Sequence, residues 1–146
     1  MNKHFLLLIL TILLGIQTQA QKKLTWEDFA DVNFEPVYSE EYEIHFLTPK
    51  FGEDLKAYEG QKVSITGYFL DISGEGDIYL VSENPMAECF FCGAAGPETI
   101  VEARFIEKPI FKTDQIVTVT GTLQLNANNV NSLNYILKES TGVLEK

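Results

Sequence analysis

The chain has few of the residues on which disulfide-rich scaffolds and histidine metal sites depend. Its 146 residues contain two cysteines and two histidines, and one of these histidines, His4, lies next to the start. Two cysteines cannot form the dense disulfide framework that stabilises small secreted scaffolds. One further histidine, His45, cannot form a histidine-rich metal site by itself. The sequence therefore excludes both classes.

Basic residues are scarce as well. The chain has 11 lysines and arginines against 21 aspartates and glutamates, which gives a formal net charge of −10. Nucleic acids and anionic lipids are bound through basic clusters, so we expect no nucleic-acid partner. Aromatic residues make up 12% of the chain, which suffices for a packed core and excludes a disordered acidic tail.

The first twenty residues have the pattern of an export signal. Lys3 precedes an apolar run over residues 5–16, and Thr18 and Ala20 place small residues before a cut at Gln21. A dozen apolar residues are too short for a hydrocarbon core that needs roughly 20. We therefore expect residues 1–20 to be a cleaved signal peptide. The mature protein would be periplasmic or extracellular in a bacterium, and would not span the membrane.

Residues 21–60 form an acidic, aromatic arm in this interpretation. No lysine or arginine lies between Leu24 and Pro49. Thr25 followed by acidic residues predicts a helix start, and the spacing of Phe51, Leu55 and Tyr58 predicts a second short helix. We expect the rest of the arm to be extended, with its aromatic residues packed on the body of the protein and its acids in solvent.

Residues 61–140 alternate between apolar and polar with the period of a strand. Glycines at positions 67 and 121 indicate that two of the strands bend sharply. This pattern predicts a mainly β protein, a small five-stranded barrel resembling the OB-fold, with no good helix between its third and fourth strands. The predicted strands cover residues 63–72, 78–82, 99–106, 116–125 and 133–138.

Both cysteines lie in a long segment between the second and third predicted strands, which we call the cysteine loop (residues 84–98). The spacing Cys89-Phe90-Phe91-Cys92-Gly93 can place two thiolates on one turn, and such a turn can bind a transition metal such as zinc or iron. A closed zinc site needs four ligands, and the sequence has no second pair of this kind. His45 is a weak third candidate, and a second copy of the chain could supply two more cysteines.

The same loop allows two other interpretations. Cys89 and Cys92 can form a redox-active dithiol, or a structural disulfide that holds the loop in an oxidising compartment. The remaining residues that would shape the loop under any of the three interpretations are Phe90, Phe91, Gly93, Gly96, Pro97 and Glu98.

Three segments resemble a family of exported bacterial proteins that is catalogued only as a domain of unknown function. They are Thr25-Trp26-Glu27-Asp28-Phe29, residues 60–68, and the run from Cys89 to Glu98. The likeness covers most of residues 24–138 and implies export and an OB-like barrel. Its members carry a cysteine with a neighbouring histidine where this chain has Cys-Phe-Phe-Cys, which implies a metal rather than a disulfide. The family supplies no established activity.

These observations predict a non-enzymatic exported module that binds a transition metal through Cys89 and Cys92. Its role would be metal handling or docking to a protein partner in the cell envelope. The alternatives are a thiol–disulfide redox accessory protein and an interaction module whose disulfide holds a recognition loop. The sequence leaves the oligomeric state open.

Overall fold

The computed structural model describes residues 21–72 and 78–146. The predicted signal peptide and the turn expected at residues 73–77 lie outside the described residues. Within the described ranges, no helix is long and apolar enough to cross a membrane.

The described residues form eight strands and two one-turn α-helices. The helices are α1 (Trp26–Phe29) and α2 (Glu53–Lys56). The strands are β1 (Lys22–Lys23), β2 (Val32–Ser39), β3 (Ile44–Phe51), β4 (Lys62–Asp71), β5 (Tyr79–Ser82), β6 (Ile100–Phe105), β7 (Ile116–Leu125) and β8 (Tyr135–Leu144).

Strands β4 to β8 close into a five-stranded barrel. The strand order is β4-β5-β6-β8-β7, and β7 pairs back with β4. The β6–β8 pair is parallel, and the other pairs of the barrel are antiparallel. The mainly β, OB-like barrel is therefore confirmed, and the segment between β6 and β7 carries no helix. Strand β1 adds a short parallel pairing to β4.

The two bend glycines are needed because other groups approach the backbone closely. Directly after Gly67, at Tyr68, the pairing of β4 with β7 ends and its pairing with β5 begins. A Cβ there would overlap the carbonyl oxygen of Ser82 and lie 2.8 Å from the Trp26 ring. At Gly121, the register between β7 and β8 shifts, and a Cβ would lie 2.7 Å from the Ser140 hydroxyl. Gly121 thus lies at a bulge-like irregularity and Gly67 directly before a change of partner strand, which are places where a strand bends.

The inward faces of the two long strands fill the barrel. The five side chains that the alternation assigns to the core are at most 1% exposed, and this assignment is confirmed: Val63, Ile65, Phe69, Val117 and Val119. Burial of these aliphatic and aromatic side chains supplies the main favourable free energy of the barrel.

The two short helices form where the sequence predicts them, and both pack against the barrel. The Asp28 carboxylate accepts hydrogen bonds from the Thr25 backbone N–H at 2.7 Å and from the Thr25 hydroxyl at 2.9 Å, and these bonds stabilise the start of α1. The Trp26 indole N–H donates to the carbonyl of Thr66 at 3.0 Å. In α2, Leu55 is fully buried, so both helices are anchored by an apolar or aromatic side chain.

Strands β2 and β3, with the turn at residues 40–43 between them, form a hairpin that is a separate two-stranded sheet. The prediction that the arm is extended is confirmed, whereas the prediction that its aromatic residues pack on the body is wrong for the outer half. Tyr38 is 53% exposed and Tyr42 is 48% exposed. Within the described residues the two hairpin strands pair only with each other, whereas Pro49 near the base of the hairpin is buried.

Candidate functional site

The cysteine loop consists of three successive 3-10 turns between β5 and β6, at Met86–Glu88, Phe90–Cys92 and Pro97–Thr99. Gly93 ends the second turn with a φ of 75°, a left-handed conformation that glycine adopts without steric cost. Pro97 begins the third turn, where its fixed φ suits a helical start. Glycine and proline thus divide the loop into short turns and prevent a longer helix.

The two cysteines have contrasting surroundings and are both free thiols. Cys89 is fully buried in an apolar cluster with Leu70, Leu80 and Ile100. Cys92 is exposed, and its Sγ donates a hydrogen bond to the carbonyl of Met86 at 3.1 Å. The buried thiol is part of the packing between the loop and the barrel, and only the second thiol faces solvent.

Electrostatics reduce the reactivity of the exposed thiol. The pKa of Cys92 is raised, first by partial desolvation within the loop and then by the neighbouring Cys89 thiol. A raised pKa lowers the fraction of thiolate at neutral pH, and the thiolate is the nucleophilic and metal-binding form. A backbone hydrogen bond from Cys89 lowers the pKa in part, but the N–H of Cys92 and that of Gly93 add nothing, because they donate to the carbonyls of Cys89 at 3.0 Å and of Phe90 at 2.9 Å.

Cys89 and Cys92 share one turn, but residues 21–72 and 78–146 add no third ligand beside them. His45 lies exposed on the hairpin, where its ring packs 5.1 Å from the ring of Tyr38. Glu98 folds back beside Gly96. Within the residues that the structure describes, no three histidine, cysteine, aspartate or glutamate side chains form a group that could hold a metal ion.

The two phenylalanines of the loop differ in the same way as the two cysteines. Phe90 is partly buried and packs against the Cys89 cluster, whereas Phe91 is 53% exposed. Their rings meet edge to face with centroids 5.4 Å apart. Phe90 also reaches a groove that the sequence does not predict.

This groove lies between the hairpin, Phe90 and the loop that joins β7 to β8, and we call it the hairpin groove. Its volume is about 580 Å³, within the range of ligand pockets in proteins. The hairpin contributes Tyr38, Tyr42, Phe46 and Leu47, and the β7–β8 loop contributes residues 127–132 and Asn134. Three segments that are distant in sequence therefore form one concave surface.

Asn126 organises the β7–β8 loop through its side-chain hydrogen bonds. The Asn126 side-chain amide donates to the carbonyls of Asn129, Ser132 and Leu133 at 2.8, 3.2 and 3.1 Å. Its side-chain oxygen accepts from the backbone N–H of Asn128 at 3.3 Å and of Asn129 at 2.9 Å. The asparagine-rich composition indicates a turn, but only the structure shows that this turn faces the hairpin.

Comparison with known proteins finds no match: no family model matches the chain, and no curated protein matches its sequence. The resemblance to an exported family therefore stays a prediction, and the functional conclusion depends on the geometry described above.

The contrast between the two cysteines gives a stability prediction. We expect Cys89→Ser to lower the free energy of unfolding by roughly 1–3 kcal/mol, because it places a hydroxyl in an apolar cluster. We expect Cys92→Ser to change it by less than about 0.5 kcal/mol, because that side chain is exposed. Urea denaturation of both variants measures the difference. Equal destabilisation by the two substitutions would contradict the assigned burial.

Proposed function

We propose that the protein is an exported, non-enzymatic OB-like module that docks to a protein partner in the bacterial cell envelope. The exposed apolar surface of the hairpin is the observation that carries this proposal. The five large hydrophobic side chains involved are between 48% and 60% exposed: Val37, Tyr38, Tyr42, Ile44 and Leu47.

This surface covers both faces of the hairpin. Tyr38 pairs with His45, while the next pair along the ladder, Val37 and Phe46, lies on the opposite face because side chains alternate along a strand. A hairpin packed against the core would expose the side chains of only one face. Clustered apolar side chains in water indicate an interaction surface, since a partner that covers them removes apolar area from solvent.

The hairpin also carries a charge pattern suited to a protein partner. Its only lysine, Lys50, pairs with Glu35 at 2.5 Å, which leaves the three glutamates of the turn region without a cation on the hairpin. Complementary potentials direct association and select partners. An apolar patch beside a negative turn fits a partner surface with an apolar centre and a basic rim.

The test of docking uses a pair of matched substitutions. We expect Leu47→Ser to weaken co-purification of the envelope partner by roughly tenfold, because the loss of one central side chain from an interface typically has an effect of that size. Ile110→Ser is the control, because Ile110 is 92% exposed but lies in the β6–β7 connection, away from the hairpin groove. Quantitative mass spectrometry of the cross-linked envelope fraction measures the ratio. Equal recovery with both variants would exclude the hairpin as the docking surface.

A second candidate function is transition-metal binding, and the adjacent free thiols favour it. Cys89 and Cys92 lie on one tight turn, in which the backbone N–H of Cys92 donates to the carbonyl of Cys89 at 3.0 Å. A single ion such as zinc or iron could contact both sulfurs if the Cys89 side chain turned out of its apolar cluster. The remaining ligands would come from the partner or from a second copy of the chain. In this scheme the two sulfurs bind as a chelate, with no further ligand from the described residues.

Metal content and its pH dependence test this candidate. If the site exists, Cys89→Ser and Cys92→Ser each abolish stoichiometric metal. Affinity also falls as the pH is lowered, because both ligands must lose a proton and the pKa of Cys92 is already raised. Metal analysis of exported protein, with a free-thiol count, measures both. Metal retained by the double variant would exclude a site in this loop.

The raised pKa of Cys92 argues against the redox interpretation. Redox-active dithiols have thiols with lowered pKa values, commonly at the start of a helix. Here the loop forms 3-10 turns, and neighbouring groups shift the pKa of the exposed thiol upward. The structure contains both cysteines as free thiols, so the predicted structural disulfide also gains no support from the geometry.

A further inference from the structure

We infer that the hairpin groove receives an extended segment of the partner chain that combines apolar and basic residues. This inference rests on the proposed docking function and names the class of partner segment. Three features of the described residues support it: an available sheet edge, unused side-chain amides and unpaired negative charge.

The hairpin offers a sheet edge to which a strand can be added. Strands β2 and β3 pair over eight residues with each other and, within the described ranges, with no other strand. Each of them therefore has an outer edge whose backbone N–H and C=O groups face away from the ladder. Such an edge is a template for an extended peptide, which gains affinity from main-chain hydrogen bonds.

The opposite wall of the groove supplies further hydrogen-bonding groups. The side-chain amides of Asn128 and Asn131 line it, and neither makes a hydrogen bond within the described residues, although both backbone N–H groups do. An amide side chain has donors and an acceptor, so it can bind the peptide groups of an extended segment. Val37 and Phe46 pair on one face of the hairpin and line the same groove, so they provide contacts for apolar side chains of the segment.

Charge selects a basic segment over an acidic or neutral one. Glu41 lines the groove, and Glu40 and Glu43 flank it in the hairpin turn. None of the three forms an ion pair with the described residues. The same charges oppose a second copy of the hairpin as the occupant, because its own turn carries identical glutamates.

The experiment selects peptides from a library of random linear sequences displayed on phage, with the folded exported protein as the immobilised target. We expect the selected sequences to alternate apolar residues with lysine or arginine. Each selected peptide is then synthesised and titrated into the protein by fluorescence anisotropy. We expect the triple variant Glu40→Gln, Glu41→Gln, Glu43→Gln to weaken binding by roughly tenfold or more and to reduce its salt dependence.

A matched control removes charge elsewhere. The triple variant Glu107→Gln, Glu139→Gln, Glu145→Gln loses the same number of acids, all outside the groove, and we expect it to bind the selected peptides as the unmodified protein does. Amide NMR shifts provide the second readout and should concentrate in β2, β3 and residues 127–132. A neutral oligosaccharide, cellohexaose, serves as a competitor of different chemistry.

Several results would overturn the inference. They are the absence of enriched sequences, enrichment of acidic or uncharged sequences, equal binding to both triple variants, or shifts in the groove caused by cellohexaose but not by peptides. None of these outcomes excludes the hairpin as the docking surface. If Leu47→Ser still weakens partner recovery and Ile110→Ser does not, docking stands and only the class of partner segment is wrong.

Discussion

Val119→Asp is expected to prevent folding. Val119 is fully buried in the barrel, where β7 pairs with both β4 and β8. A carboxylate at this position would lose its hydration without gaining a hydrogen-bond partner or a cation. The cost of roughly 3–5 kcal/mol is comparable with the whole stability of many small domains.

Thr122→Asp is the matched control for this prediction. Thr122 lies on the same strand but on the outward face, and its cross-strand neighbours are Lys62 and Lys138. A carboxylate between two lysines is tolerated or slightly favourable. Circular dichroism and thermal melting of both variants measure the outcome. A Val119→Asp protein that melts like the unmodified protein would show that the inward face is wrongly assigned.

Tyr135→Ala is expected to have an effect of similar size. The ring of Tyr135 is fully buried, with centroids 5.1 Å from Phe29 and 5.6 Å from Phe51. It therefore joins α1 and the base of the hairpin to the barrel. Removal of this ring leaves a cavity between three elements and should lower the free energy of unfolding by roughly 3–5 kcal/mol. A loss below about 1 kcal/mol in urea denaturation would contradict this role.

The hydroxyl of Tyr135 adds a pH dependence that Tyr135→Phe isolates. The hydroxyl donates to the carbonyl of Phe29 at 3.1 Å, and burial, with the nearby charges of Glu98 and Asp31, raises its pKa. The folded state therefore holds this proton more tightly than the unfolded state. Stability from this group is complete below the ordinary tyrosine pKa of about 10 and is lost as the pH rises through the folded-state pKa.

In Tyr135→Phe, we expect stability at neutral pH to fall by roughly 1 kcal/mol, because the Phe29 carbonyl loses its donor. Between neutral and strongly alkaline pH the variant should lose less stability than the unmodified protein, because it lacks the titrating group. Urea denaturation over that pH range provides the comparison. Parallel pH profiles for the two proteins would contradict the assignment.

The barrel can be predicted from the sequence because its signal is local. Period-two alternation identifies the strands, although it ends the last one at residue 138 and β8 continues to Leu144. Gly67 lies beside the point where β4 changes partner, and Gly121 lies at a register shift between β7 and β8. The capping pattern at Thr25 is equally local. Each of these features depends on residues that are close along the chain, so no knowledge of tertiary contacts is needed to predict them.

The candidate site cannot be predicted in the same way, because its parts are distant in sequence. The cysteine spacing is visible, but the burial of Cys89 against Leu70 and Ile100 depends on tertiary packing. The hairpin has the composition of a packed segment, yet its outer half lies in solvent. The groove joins the hairpin to the β7–β8 loop, and only the closed barrel brings these segments together.

The most direct test of docking is site-specific photo-cross-linking in intact cells that export the protein. A photoreactive residue is placed at position 42, where the half-exposed Tyr42 lies in the hairpin turn. It is compared with the same residue at position 110, in the β6–β7 connection. The account predicts one discrete envelope-protein adduct from position 42, absent from position 110 and lost when Leu47→Ser is added. No adduct from position 42, or the same adduct from both positions, would contradict docking through the hairpin.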